Sequence, residues 1–163
     1  MSGRENIVNF QFLQPSTLDE AAEILKSYED VRILAGGTDL LVLLKDHVLT
    51  CKYVMDIKKI PQMNVLGNAG QDLEIGGAVS LNRLLASDLS GGSYSVLRDG
   101  ASELANSLLR NRATIIGNIC NASPGGDMLP AALVLEGTLE AVSAGGSRMI
   151  PLSGFFKIGR AHV

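Results

Sequence analysis

Tryptophan is absent from this chain, and aromatic residues make up only 4% of its 163 positions. A protein that grips single-stranded nucleic acid by stacking needs more aromatic faces than that. Lysine and arginine number 14 against 17 acidic residues, a formal net charge of -3, so no broad basic footprint is present either. The two cysteines, Cys51 and Cys120, lie far apart and there are only two histidines. With no Cys-x-x-Cys pair, the composition argues against a self-contained zinc or iron–sulfur site, and against a histidine-based metal site or triad. No run approaches the ~20 apolar residues of a membrane span. Residues 1–10 lack the apolar core of a signal peptide. The expectation is a soluble, cytoplasmic protein with no nucleic-acid partner, no membrane span and no metal of its own.

What is plentiful is apolar residues, at 46%, and glycine, at 18 residues with several in pairs. That composition suits a packed domain, with backbone coming close to something at the glycines. Residues 10–13 read as a short strand. Thr17 followed three positions later by Glu20 is a capping box, opening a helix whose Leu18, Ala21, Ala22, Leu25 and Tyr28 share a face. Strands are expected at 31–34 and 53–57, with a short buried helix at 40–44 starting from Thr38. This is a small α/β unit. Further on, 64–71 suits a hinge or hairpin and 73–79 a strand, and Ser80 caps a short helix. Residues 96–109 read as one longer helix. Residues 114–118 are β-like, 120–127 a Pro/Gly loop, and 128–135 a compact apolar helix. A closing hairpin turns over Gly145 and Gly146. Cys51 and Cys120 read as small buried side chains, and His47 as the residue at a solvated helix end.

Two segments suggest ligand chemistry. In the first, Ile33, Leu34, Ala35, Gly36, Gly37, Thr38, Asp39 and Leu40 run from a strand through two glycines into a helix. Unpaired amides at such a turn, with the helix dipole behind them, suit a phosphate. The sequence is neither Gly-x-x-x-x-Gly-Lys-Ser/Thr nor Gly-x-Gly-x-x-Gly. A plain glycine turn explains it as well, and the Asp39 carboxylate opposes an anion. In the second, residues 110–118 and 121–127 gather Arg110, Arg112, several amides, hydroxyls and glycines. They suit a polyhydroxylated, phosphorylated ligand, or an irregular loop satisfying its own backbone with Asp127 capping the next helix.

In order and wording, the two segments resemble the FAD-binding subunit of the molybdenum hydroxylases, the xanthine dehydrogenase and carbon monoxide dehydrogenase medium-chain family. That family carries Ala-Gly-Gly-Thr/His-Asp/Ser-Leu near its N-terminus. Later come Arg-Asn-x-Ala-Thr-Ile-Gly-Gly-Asn and Asn-Ala-x-Pro-x-x-Asp-x-x-Pro. The resemblance covers nearly all of residues 10–156, and Ile116 stands where the family has the first glycine of its pair. It implies an α+β, two-subdomain, PCMH-type FAD-binding fold: a small α/β unit at 1–57, a larger mixed unit at 58–157, and FAD between them. By position, residues 33–40 would wrap the pyrophosphate, and Thr114, Ile115, Gly117 and Asn118 would form a second FAD loop. Asp127 would accept a hydrogen bond from the cofactor, and Leu104 would lie against it.

The implied activity is electron transfer in a molybdenum hydroxylase. Electrons would come from iron–sulfur clusters in a small partner subunit, fed by a large molybdopterin subunit, and pass to NAD or another acceptor. The alternative is a nucleotide- or phosphate-binding α/β module without redox activity. The family's further C-terminal α/β domain is not in this sequence, so an apolar surface around Leu152, Phe155 and Phe156 is expected to be left open. Residues 158–163 read like the translation of a sequencing adapter and are expected to be a non-native tail.

Overall fold

The computed structural model describes residues 9–123 and 125–155. The expectations for Phe156 and for the tail at 158–163 lie outside the described residues.

The first unit runs β1 (Gln11–Leu13), α1 (Leu18–Ser27), β2 (Val31–Leu34), α2 (Leu40–Lys45), β3 (Tyr53–Asp56). Its three strands pair in parallel in the order β1-β3-β2. β3 is central and covered on both faces, so successive residues feed different cores. Met55 packs with Ala21, Ile57 and Ile60 on one side, and Val54 with Leu34, Leu44 and Cys51 on the other. α1 starts as the capping box requires, with Thr17 Oγ1 accepting from the Glu20 amide at 3.1 Å. The return bond shifts by one residue: the Glu20 carboxylate takes the Ser16 amide at 2.8 Å and the Ser16 hydroxyl at 3.0 Å. Those bonds hold the Glu20 carboxyl below its ordinary pKa. Because all three strands run the same way, the segments after Leu13, Leu34 and Asp56 leave from one edge. In open parallel sheets that edge is where ligands sit.

The second unit opens with an antiparallel hairpin, β4 (Leu66–Ala69) and β5 (Asp72–Ile75). Five helices follow: α3 (Leu81–Leu85), α4 (Ser95–Glu103), α5 (Ser107–Arg110), α6 (Ile115–Asn121) and α7 (Met128–Val134). A second hairpin, β6 (Thr138–Ser143) with β7 (Gly146–Pro151), and a final turn, α8 (Leu152–Phe155), complete it. Leu81, Leu84, Leu97, Ile115, Ile119 and Met128 form the heart of its core.

Several expectations need correction. The strand expected at 73–79 stops at Ile75. The helix expected at 96–109 is broken: Ala105 takes a left-handed φ of 51°, and Asn106 caps a new helix through the Leu109 amide at 2.9 Å. The β-like segment 114–118 is the start of α6. α2 is less buried than expected, with Leu44 inside and Val42 and Leu43 exposed. Cys120 is exposed, whereas Cys51 is buried as expected. Leu152 is buried and so does not belong to an open apolar surface, while Phe155 is half-buried against the same core. His47 does sit exposed just past α2.

Candidate functional site

β2 delivers residues 35–39 to the C-terminal edge of the parallel sheet. Ile33 is exposed on the strand, and Leu34 is buried beneath it. Gly37 adopts φ +81°, a left-handed conformation that turns the chain out of the strand. A side chain at Gly36 would be driven into the Arg112 backbone, whose carbonyl carbon would stand 2.9 Å from the new Cβ. The need for glycine at 36 thus comes from another part of the same protein. The chain between β2 and α2 lies backbone to backbone against the segment that enters α6, and the two sequence motifs meet there.

Thr38 does not cap α2, contrary to expectation. α2 begins at Leu40 with Asp39 in the cap position and no side-chain cap bond. The Thr38 hydroxyl donates instead to the Asp39 carboxylate at 3.3 Å. No backbone carbonyl among the described residues accepts the amides of residues 36–40. The Asp39 side chain is turned to Thr38 and exposed.

Across the seam, Ala113 and Thr114 are buried. Thr114 caps α6, its hydroxyl accepting from the Gly117 amide at 3.0 Å. A Cβ at Gly117 would stand 2.6 Å from that hydroxyl oxygen, so a side chain there would have to displace the Thr114 hydroxyl. Ile116, the departure from the family pattern, sits in the first helical turn and is half-buried. Ile115 is directed into the core. One helical turn on, Asn118 Oδ1 accepts from the Met128 amide at 3.2 Å. Asn118 therefore supplies the cap that had been assigned to Asp127. Asp127 occupies the cap position of α7 but makes no side-chain cap bond and is exposed.

The sequence-derived residues thus fall along one line: 36 against 112, then 113–118, then Asn118 to the start of α7 beside Asp127. Leu104 stands apart. It is half-buried against the second core, and its carbonyl accepts from Arg110 Nη1 at 3.2 Å. The same Nη1 also donates to the Ser102 and Ala105 carbonyls, at 2.9 and 2.8 Å. Arg110 Nη1 thus holds the α4–α5 break together, while its buried Nε has no hydrogen-bond partner among the described residues.

Sequence reasoning missed a polar group beneath the glycine loop. Asp56, 5% exposed at the end of β3, is paired with Lys58 Nζ at 2.7 Å. Burial acts to raise its pKa, but hydrogen bonds from Lys58, the Lys58 charge and a bond from Gln14 outweigh it and hold the carboxyl below its ordinary value. A lysine two residues beyond a strand carries no pattern that flags it; a buried aspartate in an apolar strand was the available clue. Both thiols are raised above their ordinary pKa, Cys51 by burial and by the Asp30 charge, Cys120 by the partial burial of its sulfur. Neither is primed as a nucleophile. Among the described residues no group of histidine, cysteine or carboxylate side chains could hold a metal ion, and no helix is long and apolar enough to cross a membrane.

Residues 8–162 match the family model described as the FAD binding domain in molybdopterin dehydrogenase. The glyceraldehyde dehydrogenase medium chain of Sulfolobus acidocaldarius is 30% identical over 148 residues, covering 91% of this chain and 53% of that protein. The xanthine dehydrogenase FAD-binding subunit of Escherichia coli is 31% identical over 141 residues, covering 86% and 48%. Among solved structures, carbon monoxide dehydrogenase from Hydrogenophaga pseudoflava superimposes with a TM-score of 0.87 at 29% identity, covering 91% of this chain and 52% of that one. The chain thus spans about half the length of the curated relatives it matches. Taken with the meeting of the two motifs at Gly36, these likenesses establish that the chain belongs to the FAD-binding domain family of the molybdopterin dehydrogenases.

Proposed function

We propose that this chain holds FAD along the seam between residues 33–40 and 112–118, as the flavin-bearing part of a molybdenum hydroxylase. One observation carries the reading: the close packing of Gly36 on the Arg112 backbone. It brings a loop of unpaired amides at the sheet edge beside a second loop rich in small and polar residues.

The residues present fit the cofactor. Amides of residues 36–40 lack backbone acceptors among the described residues, which suits a pyrophosphate. Thr114 and Gly117 fix the second loop through their mutual bond. Asp127, relieved of capping by Asn118, leaves an exposed carboxylate to accept bonds from ribityl or ribose hydroxyls. The exposed Ile33 side chain would supply shape rather than bonds, and Ile115, buried in the core, would contribute only its backbone. In this reading the chain divides near residue 57 and the cofactor lies between the two units. Bound FAD takes up electrons singly or in pairs, so it can stand between iron–sulfur carriers and a two-electron acceptor. This chain's own residues bind and orient. By the chemistry of the family the electrons would come from an iron–sulfur subunit served by a molybdopterin subunit, and would leave to NAD or another acceptor.

Titrating the purified chain into FAD, and following flavin fluorescence and the visible flavin spectrum, tests the reading. Saturable quenching, competed by ADP, is expected. ADP binding without any flavin response would favour a nucleotide-binding module, and no binding of either would overturn the assignment.

A further inference from the structure

We propose that Lys58 is a positioning residue that aims the Gly36 amide, and that it does so from the underside of the glycine loop. The inference rests on the FAD reading above and extends it to a residue outside both motifs. Lys58 Nζ lies 2.7 Å from Asp56 Oδ1 and 3.1 Å from the Ala35 carbonyl oxygen. The carboxylate that holds it is itself fixed: Oδ1 also accepts the Lys58 amide at 2.9 Å, and Oδ2 accepts Gln14 Nε2 at 3.3 Å. The four residues come from the ends of all three parallel strands: Gln14 after β1, Ala35 after β2, Asp56 and Lys58 at and after β3.

The Ala35 carbonyl and the Gly36 N–H belong to one planar trans peptide, so they point in opposite directions. A cation that holds the oxygen on one side therefore turns the amide to the other. Glycine on one side of this peptide widens the range of orientations open to it. Without the ammonium, the Ala35 oxygen loses the charged donor that holds it down, and any rotation of the plane would turn that oxygen toward a phosphate, which it repels. The Asp56–Lys58 pair is neutral overall, so what reaches the loop from below is a directed hydrogen bond rather than a net charge.

The test uses the 163-residue chain with FAD and ADP as probes. Lys58→Met should weaken both affinities about tenfold or more, the scale of losing one charged hydrogen bond. Lys58→Arg should restore most of the loss, and Lys59→Met, which removes an exposed neighbouring charge, should change neither. In amide NMR spectra the Gly36 signal should shift with ADP in the wild type and the Arg variant, but not in the Met variant. A purely structural Lys58 would alter thermal stability without that selective loss. If wild type binds FAD and Lys58→Met binds it equally well, Lys58 has no such role. If wild type binds neither probe, the FAD reading itself fails and this inference falls with it. Should Lys58→Met not fold, the double variant Asp56→Asn/Lys58→Met, which leaves no unpaired buried carboxylate, serves in its place, and wild-type affinity in that variant overturns the proposal.

Discussion

Gly36 packs so closely on the backbone of Arg112 that no side chain fits between them, with the Ala113 Cα 3.1 Å from where a Cβ would stand. The obstacle is backbone, which has nowhere to swing. Gly36→Ala should therefore destabilise the chain by about 1–3 kcal/mol, the usual cost of overpacking. Urea denaturation reads it directly. An unchanged midpoint would mean that the two motifs are further apart than described.

Gly37 is constrained in a different way. Its φ of +81° disfavours any L-residue, while the atoms nearest a new Cβ are the ends of the flexible Leu34 and Leu41 side chains. Gly37→Asn should cost about 1–2 kcal/mol, and Gly37→Val more, because a β-branched residue resists that conformation further. FAD affinity should fall in the same order. Equal stability of the Asn and Val variants would remove backbone conformation as the cause.

Asn118 and Asp127 offer a paired test of who caps α7. Asn118→Ala should lose about 1 kcal/mol of stability, as for other cap removals. Asp127→Ala should leave stability within about 0.5 kcal/mol, as expected for an exposed side chain without a fixed partner. If Asp127 accepts cofactor hydroxyls, its removal should cost about 1.5–3 kcal/mol of FAD binding instead. Melting curves and flavin titrations on both variants separate the two roles.

Asp56 predicts a pH dependence. Its carboxyl is held below the ordinary value in the folded chain. The stability it contributes is therefore present above the unfolded pKa of about 3.9 and is lost as pH falls toward the lower folded value. Between pH 6 and pH 3 the wild type should lose more stability than Asp56→Asn, which has no such proton to bind. Parallel slopes in the two proteins would remove Asp56 from the acid response.

Ala122 closes α6 in a left-handed conformation, φ 52°. That geometry costs an alanine about 1–2 kcal/mol, part of which glycine would regain. Ala122→Gly should raise the thermal midpoint; a drop would show that the methyl group makes a contact worth more than the strain.

The first unit was legible because its signals are local. Thr17 and Glu20 mark a helix start, and short apolar runs at 31–34 and 53–56 mark strands. The middle was not. Thr114, Ile115 and Ile116 have the β-branched look of a strand, yet Ile115 and Ile119 bury one helical turn apart in the second core, and packing overrides propensity. The break at Ala105 carried no glycine or proline to announce it; Asn106 ahead of Leu109 was the only mark. For the candidate site, both motifs were visible, but their internal wiring was not. Which side chain caps which helix depends on Asn118 reaching Met128 across a loop, a contact no linear spacing reveals.

The Gly36–Arg112 seam also sets an order of events. The parallel sheet closes in about the first third of the chain, whereas the seam joins segments separated by β3, the first hairpin and α3 to α5. Contacts of such long sequence separation close a large loop and tend to form late. The amides of the glycine loop would then acquire their neighbour only after α6 has docked. A ligand that touches both sides would bind the docked form alone, and by mass action would draw the chain toward it. The cofactor would in that case serve as the last element of the fold.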